Sequence, residues 1–340
     1  MTTDPKKVYI VSPYSDHSGH AERITQLNPD LILLWCDIEY GVADIFKDFL
    51  VKIMSYLKSN NKSVTILYPG PDKKLSEYIY LEKTYGYYLT SLVQVAERYS
   101  DRNFDNTHLE ADKLFTLYAH RGSPERIAII DTLARENLLK DGVVTFHGKH
   151  MNYPPKWQYH DGSELTDEDN YVIPQMGEGD PFHFPKSFFR GFVDVVCESR
   201  VDNGEFFTTE KTAKSIIALK PFLALSSQHY YRHLMDEYGI LPYSEIFDYR
   251  FDKEPNVTDR IEGIVENIRR LKTIDKNKVH ATLFDKMVHN KNQFIKYGFN
   301  RSKMVSKSLE FVFNEPYVLI GDTIAAELWF DMVRKRGWLQ

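Results

Sequence analysis

Two cysteines are all that this chain of 340 residues carries, Cys36 and Cys197, each inside an apolar run. They read as buried thiols, which sets aside a disulfide framework or a cysteine metal centre. Long hydrophobic runs are missing too: none approaches the ~20 residues that a membrane-spanning helix needs. The opening MTTDPKK lacks a signal-peptide pattern, so a soluble protein of a reducing compartment is expected. Neither sign of charge dominates, since 43 Lys and Arg face 48 Asp and Glu for a net charge of −5. That balance argues against wholesale coating of nucleic acid and leaves room for a local basic groove. The GxGxxG pattern is absent after the first predicted strand, which removes a dinucleotide site from that turn.

What is present is an ordinary globular composition, 42% hydrophobic, so a sizeable core can form. The 22 Tyr and 21 Phe serve that core first, and would also suit a sugar- or base-binding cleft. The length predicts two domains. In the first, residues 1–105, the runs at 7–12, 30–36 and 63–68 read as buried strands. Val42, Ile45, Phe46, Phe49, Leu50, Ile53, Met54 and Leu57 recur at three-and-four spacing between the last two. That is an amphipathic helix, and the unit is a parallel βαβ. A second helix, dense in tyrosine, is predicted over 77–99. The turn at 13–20 holds Asp16, His17 and His20; without a third ligand nearby it reads as a solvated turn in preference to a metal site.

A polar, aperiodic stretch at 100–112 reads as a linker. The second domain, 113–318, begins with a strand, a turn and a helix that carry Arg121 and Arg126. A strand follows at 143–146, then an aperiodic stretch at 148–190 of the length used for lids and binding loops. Its Asp167-Glu168-Asp169 reads as a solvated charge run, and no metal site is expected. The buried-type strand at 192–198 ends in Cys197-Glu198-Ser199. Thr208, Thr209 and Glu210 then put hydroxyls and a carboxylate at a helix start, where free N–H groups and the dipole favour them. Lys211 follows, Pro221 stops the helix, and 222–225 is again of buried-strand type. The pair Glu210-Lys211 therefore stands at the mouth of an α/β unit, where open α/β sheets bind ligands. Helices are predicted at 228–238, 259–272 and 276–307. The last holds seven lysines and reads as a solvated basic face in preference to a phosphate contact. A final helix is predicted over 320–338.

This order resembles the nucleotide-binding half of the α-1,3-fucosyltransferases over about a third of the chain, residues 113–228. Arg126 matches the arginine on that family's helix, and Cys197-Glu198-Ser199 matches its Phe-Glu-Asn strand end. Phe207-Thr208-Thr209-Glu210-Lys211 matches its Tyr-Val-Thr-Glu-Lys helix start. Ser199 replaces the family's Asn, and Ala224-Leu225-Ser226 stands where the family has small residues, which leaves the sugar open. Arg121 and Arg126, two arginines in a turn before a helix, are also similar to the donor domain of phage DNA β-glucosyltransferases.

The resemblance implies two Rossmann-like α/β domains facing across a cleft, the GT-B type, with residues 319–340 as a helix packing back on the first domain. It implies a metal-independent glycosyltransferase that needs no cofactor beyond its nucleotide-diphosphate sugar. Arg126 and Lys211, with Arg121, would hold the diphosphate and offset the charge that builds on it as it leaves. Glu210 would accept ribose hydroxyls, and Glu198 and Thr209 would complete the donor set. The acceptor would be a glycan or the hydroxymethylated bases of viral DNA, and the location the cytoplasm, a host's if the protein is viral. The alternative is a catalytically inactive nucleotide-sugar or glycan-binding protein. An inverting transfer also needs a base from the first domain. Asp16, Asp37, Glu39 and Asp72 are the candidates, with Asp37 and Glu39 first because they directly follow a buried strand. A retaining transfer needs none.

Overall fold

The computed structural model describes residues 5–11, 19–35, 42–61, 64–68, 81–85, 99, 102–119, 123–146, 158–159, 184–199, 201, 206, 208–308 and 317–323. The fold is mixed α/β, built on two largely parallel sheets flanked by helices. The chain divides into two compact units, residues 1–93 with 298–340, and residues 94–297.

In the first unit, β1 (Lys6–Val11), β2 (Leu31–Trp35), β3 (Val64–Tyr68), β4 (Leu81–Tyr85) and β10 (Tyr317–Gly321) form one parallel sheet. Its order is β10-β1-β2-β3-β4. Val8 to Val11 and Leu31 to Leu34 are buried without alternation, as in a parallel sheet covered on both faces. The step from β1 to β2 to β3 advances in one direction. Right-handed crossovers then put α1 (His20–Leu27) and α2 (Val42–Asn60) on the same face. Ile24 of α1 and Phe49, Leu50, Ile53 and Leu57 of α2 accordingly share one core with Tyr9, Val11, Ile32, Leu34 and Val64.

Three expectations are corrected here. Residues 77–99 are not one helix, because Leu81–Tyr85 pairs along its whole length with β3. Thr84 and Tyr85 suit a pleated surface, and the edge offered by β3 outweighs the local helical spacing. Ile320 and Gly321 do not start the last helix; they end β10, which lies parallel to β1. The rest of that predicted helix, from residue 324, is outside the described residues. Nor is His20 solvated. It opens α1 at 5% exposure and meets the Tyr9 hydroxyl at 2.9 Å.

In the second unit, β5 (Lys113–Ala119), β6 (Gly142–Phe146), β7 (Gln158–Tyr159), β8 (Gly191–Cys197) and β9 (Phe222–Leu225) make a sheet in the order β7-β6-β5-β8-β9. Only β7 runs antiparallel. The chain leaves β5 through α3 (Pro124–Arg135) to β6 on one side, and later returns to β8 on the other. The strand order therefore reverses between β5 and β8. All seven residues of β8 are buried. Gly191, at its start, comes so close to β5 that a Cβ there would lie 2.4 Å from the Phe115 carbonyl carbon.

The stretch 148–190 is not wholly irregular: beyond the two residues of β7 it ends in α4 (Lys186–Arg190). Phe188 and Phe189 of α4 pack with Phe184 and Phe104. The remaining helices of this unit are α5 (Glu210–Ile217), α6 (Tyr230–Tyr238), α7 (Val257–Arg270) and the start of α8 (Lys276–Ser308). Three of the lysines on α8 brace other segments instead of facing solvent. Lys276 Nζ donates to the carbonyls of Ala111 (3.1 Å) and Lys113 (3.4 Å), and Lys291 Nζ to that of Arg102 (3.3 Å). Lys286 Nζ donates to the Pro242 carbonyl (3.0 Å) and pairs with Glu245 (2.6 Å). Among the described residues no helix is long and apolar enough to cross a membrane.

A polar network threads the core of this unit. Asp194, inside β8, accepts from Thr116 Oγ1 (2.7 Å) and Ser215 Oγ (2.6 Å). Lys220 Nζ donates to Thr116 Oγ1 (2.9 Å) and to the carbonyl of Phe188, and lies 4.1 Å from the centre of the Phe188 ring. Burial holds its amine down to about 7, against the opposing pull of Asp194.

Candidate functional site

The reversal of strand order between β5 and β8 marks a crevice beyond their carboxyl ends, the usual ligand position in open α/β sheets. Two helices begin beside it. At α3, Ser123 is the N-cap and accepts from the Arg126 N–H, with Pro124 at the first helical position. Both choices suit a helix start, one by satisfying a free donor and the other by lacking one. The cap fixes the first turn of α3, and Arg126 reaches from it to the end of β8. Its Nη2 donates to the Cys197 carbonyl at 3.3 Å.

At α5, Thr209 is the N-cap and accepts from the Lys211 N–H. The Lys211 ammonium contacts Glu210 Oε1 (3.2 Å), Thr209 Oγ1 (3.1 Å) and Ser199 Oγ (3.5 Å). It therefore also points to the end of β8. The thiol of Cys197 feels both cations. Burial pushes it up to about 12 even though the charges of Arg126 and Lys211 pull it down. A thiol so protonated is inert, as expected of a buried structural cysteine.

Glu198, next along the chain, is buried and spoken for. Its carboxylate accepts from the Thr209 N–H (3.2 Å), Thr209 Oγ1 (2.6 Å), Thr212 Oγ1 (2.6 Å) and the Tyr230 hydroxyl (3.3 Å). Burial raises its carboxyl above the ordinary range, with Lys211 and the two threonines acting the other way. A carboxylate held at the start of α5 satisfies that helix's free donors and its dipole from within the protein. Glu198 is thereby the anchor that fixes where Glu210 and Lys211 project. Glu210 keeps a quarter of its side chain exposed. Burial pulls its carboxyl up most strongly of any single effect, but the Lys211 charge and hydrogen bond, a backbone hydrogen bond and the Lys214 charge together hold it below its ordinary value.

Of the residues singled out by sequence, Arg126, Glu198, Thr209, Glu210 and Lys211 thus gather around the end of β8. Arg121, Asp16, Asp37, Glu39, Asp72 and Asp167-Glu168-Asp169 lie outside the described residues. No group of three or more His, Cys, Asp or Glu among the described residues could hold a metal ion. A small hollow lined by Phe189, Phe192, Lys220 and His280 lies away from this crevice, where β8 and β9 begin. Comparison with protein-family models, curated proteins and solved structures finds no match for this chain.

The sequence missed the anchoring role of Glu198 and the network around Lys220. The second had a signal, since an acid in the middle of the run FVDVVCE must find partners in the core.

Proposed function

We propose that the chain is a glycosyltransferase of GT-B type that takes its sugar from a nucleotide-diphosphate donor bound at the crevice between β5 and β8. The observation that carries this reading is the convergence of Arg126 and Lys211 on the end of β8, at the point where the strand order reverses. A guanidinium fork and an ammonium, both reaching the end of β8, suit the oxygens of a diphosphate and the charge it gains on leaving. That supports departure without a metal ion. Glu210, ionised and part-exposed, is suited to accept from ribose hydroxyls. Glu198 takes no donor contact in this reading; it sets the start of α5.

A glycan hydroxyl is the acceptor we favour. Three of the seven lysines on α8, the helix that would otherwise offer phosphate contacts to DNA, are spent on internal carbonyls and Glu245.

The test is a thermal-shift screen of UDP-, GDP-, CMP- and dTDP-sugars, run in the presence of a chelator. A ligand that binds only the folded protein raises its Tm. One nucleotide class is expected to raise Tm by several degrees, with the shift lost in Lys211→Ala. No shift with any donor at millimolar concentration would overturn the proposal.

A further inference from the structure

We infer that the hydroxyls of Ser226 and Ser227 complete the diphosphate subsite at the end of β8, donating to phosphate oxygens beside Arg126 and Lys211. This deepens the donor-site reading above and rests on it. Ser226 and Ser227 are the two residues that follow β9, and they are 2% and 1% exposed. Among the described residues, their hydroxyls and that of Thr145 are the buried ones without a hydrogen-bond partner. A buried hydroxyl left unbonded costs stability, so a native fold rarely keeps one without a use for it.

The fold offers these two serines no use of its own. Elsewhere in the unit buried hydroxyls are matched to acids: Thr116 and Ser215 to Asp194, Thr209 and Thr212 to Glu198. A serine just before a helix commonly caps its start. At α6 the N-cap is His229, and no side chain caps it. Asp252 serves that helix start instead. Its carboxylate accepts from the Tyr231 N–H (3.3 Å) and its carbonyl from the His229 N–H (2.7 Å). Glu198, the carboxylate on the neighbouring strand end, already takes four donors.

Their place in the sheet says what they await. β9 runs parallel to β8 with Leu225 opposite Cys197, and the Glu198 N–H donates to the Leu225 carbonyl at 3.0 Å. The two serines therefore follow on beside Glu198 and Ser199, one strand spacing of about 4.8 Å across. Arg126 reaches the same strand end through the Cys197 carbonyl, and Lys211 through Ser199 Oγ. Two cations and two hydroxyls thus meet at the carboxyl ends of neighbouring strands. An acceptor from outside the chain answers all four. A diphosphate carries several anionic oxygens, and hydroxyl bonds to charged oxygen are the strong kind.

The experiment titrates UDP, GDP, CDP and dTDP, and the nucleotide sugar found in the screen, into wild type and the double variant Ser226→Ala/Ser227→Ala, with chelator present. The variant is expected to bind the nucleoside diphosphate about a hundredfold more weakly, two charge-assisted bonds being lost, and the nucleotide sugar to the same extent. Its Tm without ligand should equal or exceed that of wild type, because two unbonded buried hydroxyls become methyl groups. An unchanged affinity for the nucleoside diphosphate would overturn the inference while leaving the donor site standing. A loss confined to the nucleotide sugar would overturn it too, since the serines would then touch the sugar. A clear fall in ligand-free Tm, or failure to fold, would show that the fold itself uses these hydroxyls, and would also overturn it. A wild-type protein that binds none of the nucleotides would overturn both this inference and the donor site.

Discussion

Lys211→Ala should lower kcat/KM for sugar transfer by about a hundred- to a thousandfold, the range seen when one group that stabilises a developing anion is removed. Its ammonium is a quarter exposed and bonds mainly to neighbours at its own helix start, so the fold should survive with little change in Tm. Arg126→Ala should lose turnover on the same scale, but with a cost in stability. Arg126 is buried, and its removal leaves the Cys197 carbonyl without that donor, at about 1–3 kcal/mol. Arg126→Lys separates the two effects. It keeps a charge but loses the fork that matches two phosphate oxygens, so it should recover part of the stability and little of the turnover. Steady-state kinetics and donor titration on the three variants check this. Normal turnover in Lys211→Ala would remove the donor site from the end of β8.

The second large effect concerns pH and stability. Burial holds the Lys220 amine at about 7, against 10.5 for the free side chain. Between those values the unfolded chain binds a proton that the folded chain does not, so stability rises as pH rises through this window. The slope is at most about 1.4 kcal/mol per pH unit. At and below pH 7 the folded protein carries the full cost of burying the ammonium. Urea unfolding at pH 7, 8 and 9 should therefore show a rising midpoint, and Lys220→Met should flatten it. At pH 7 the substitution should cost little, because a well-packed apolar side chain replaces a charge that is expensive to bury. The window stops at pH 9 because the buried phenols of Tyr230, Tyr231 and Tyr249 are pushed well above their ordinary range. The unfolded chain loses those protons first, which lowers stability as pH climbs past 10. A flat wild-type profile from pH 7 to 9 would contradict the placement of Lys220.

The elements that were legible in the sequence are those whose own residues carry the signal. The strands β1, β2, β8 and β9 are apolar runs bounded by turn residues, and α2 and α7 repeat their apolar positions every three or four residues. What stayed hidden depends on a distant partner. Leu81–Tyr85 carries a glutamate and a lysine and becomes a strand because β3 offers an edge. Val318, Leu319 and Ile320 adjoin Ile324 and Leu328 in the sequence, so a helical spacing runs through them. Only β1, some three hundred residues earlier, settles their conformation. The site divides in the same way. Arg126 and the Thr209-Glu210-Lys211 helix start could be read locally, because caps and helix-start acids are local devices. The burial of Glu198, which makes it an anchor for the start of α5, depends on Thr212 and Tyr230 on two later helices.

The late strand β10 also has a bearing on how the molecule can be handled. It shields one flank of β1, whose apolar residues would otherwise border an open row of backbone donors and acceptors. A fragment that stops short of residue 317 would bare that flank, and bare flanks of this kind recruit strands from other chains. Expression of the first 93 residues alone should therefore give clumped material, whereas co-expression with a segment that contains 317–323 offers the missing seam.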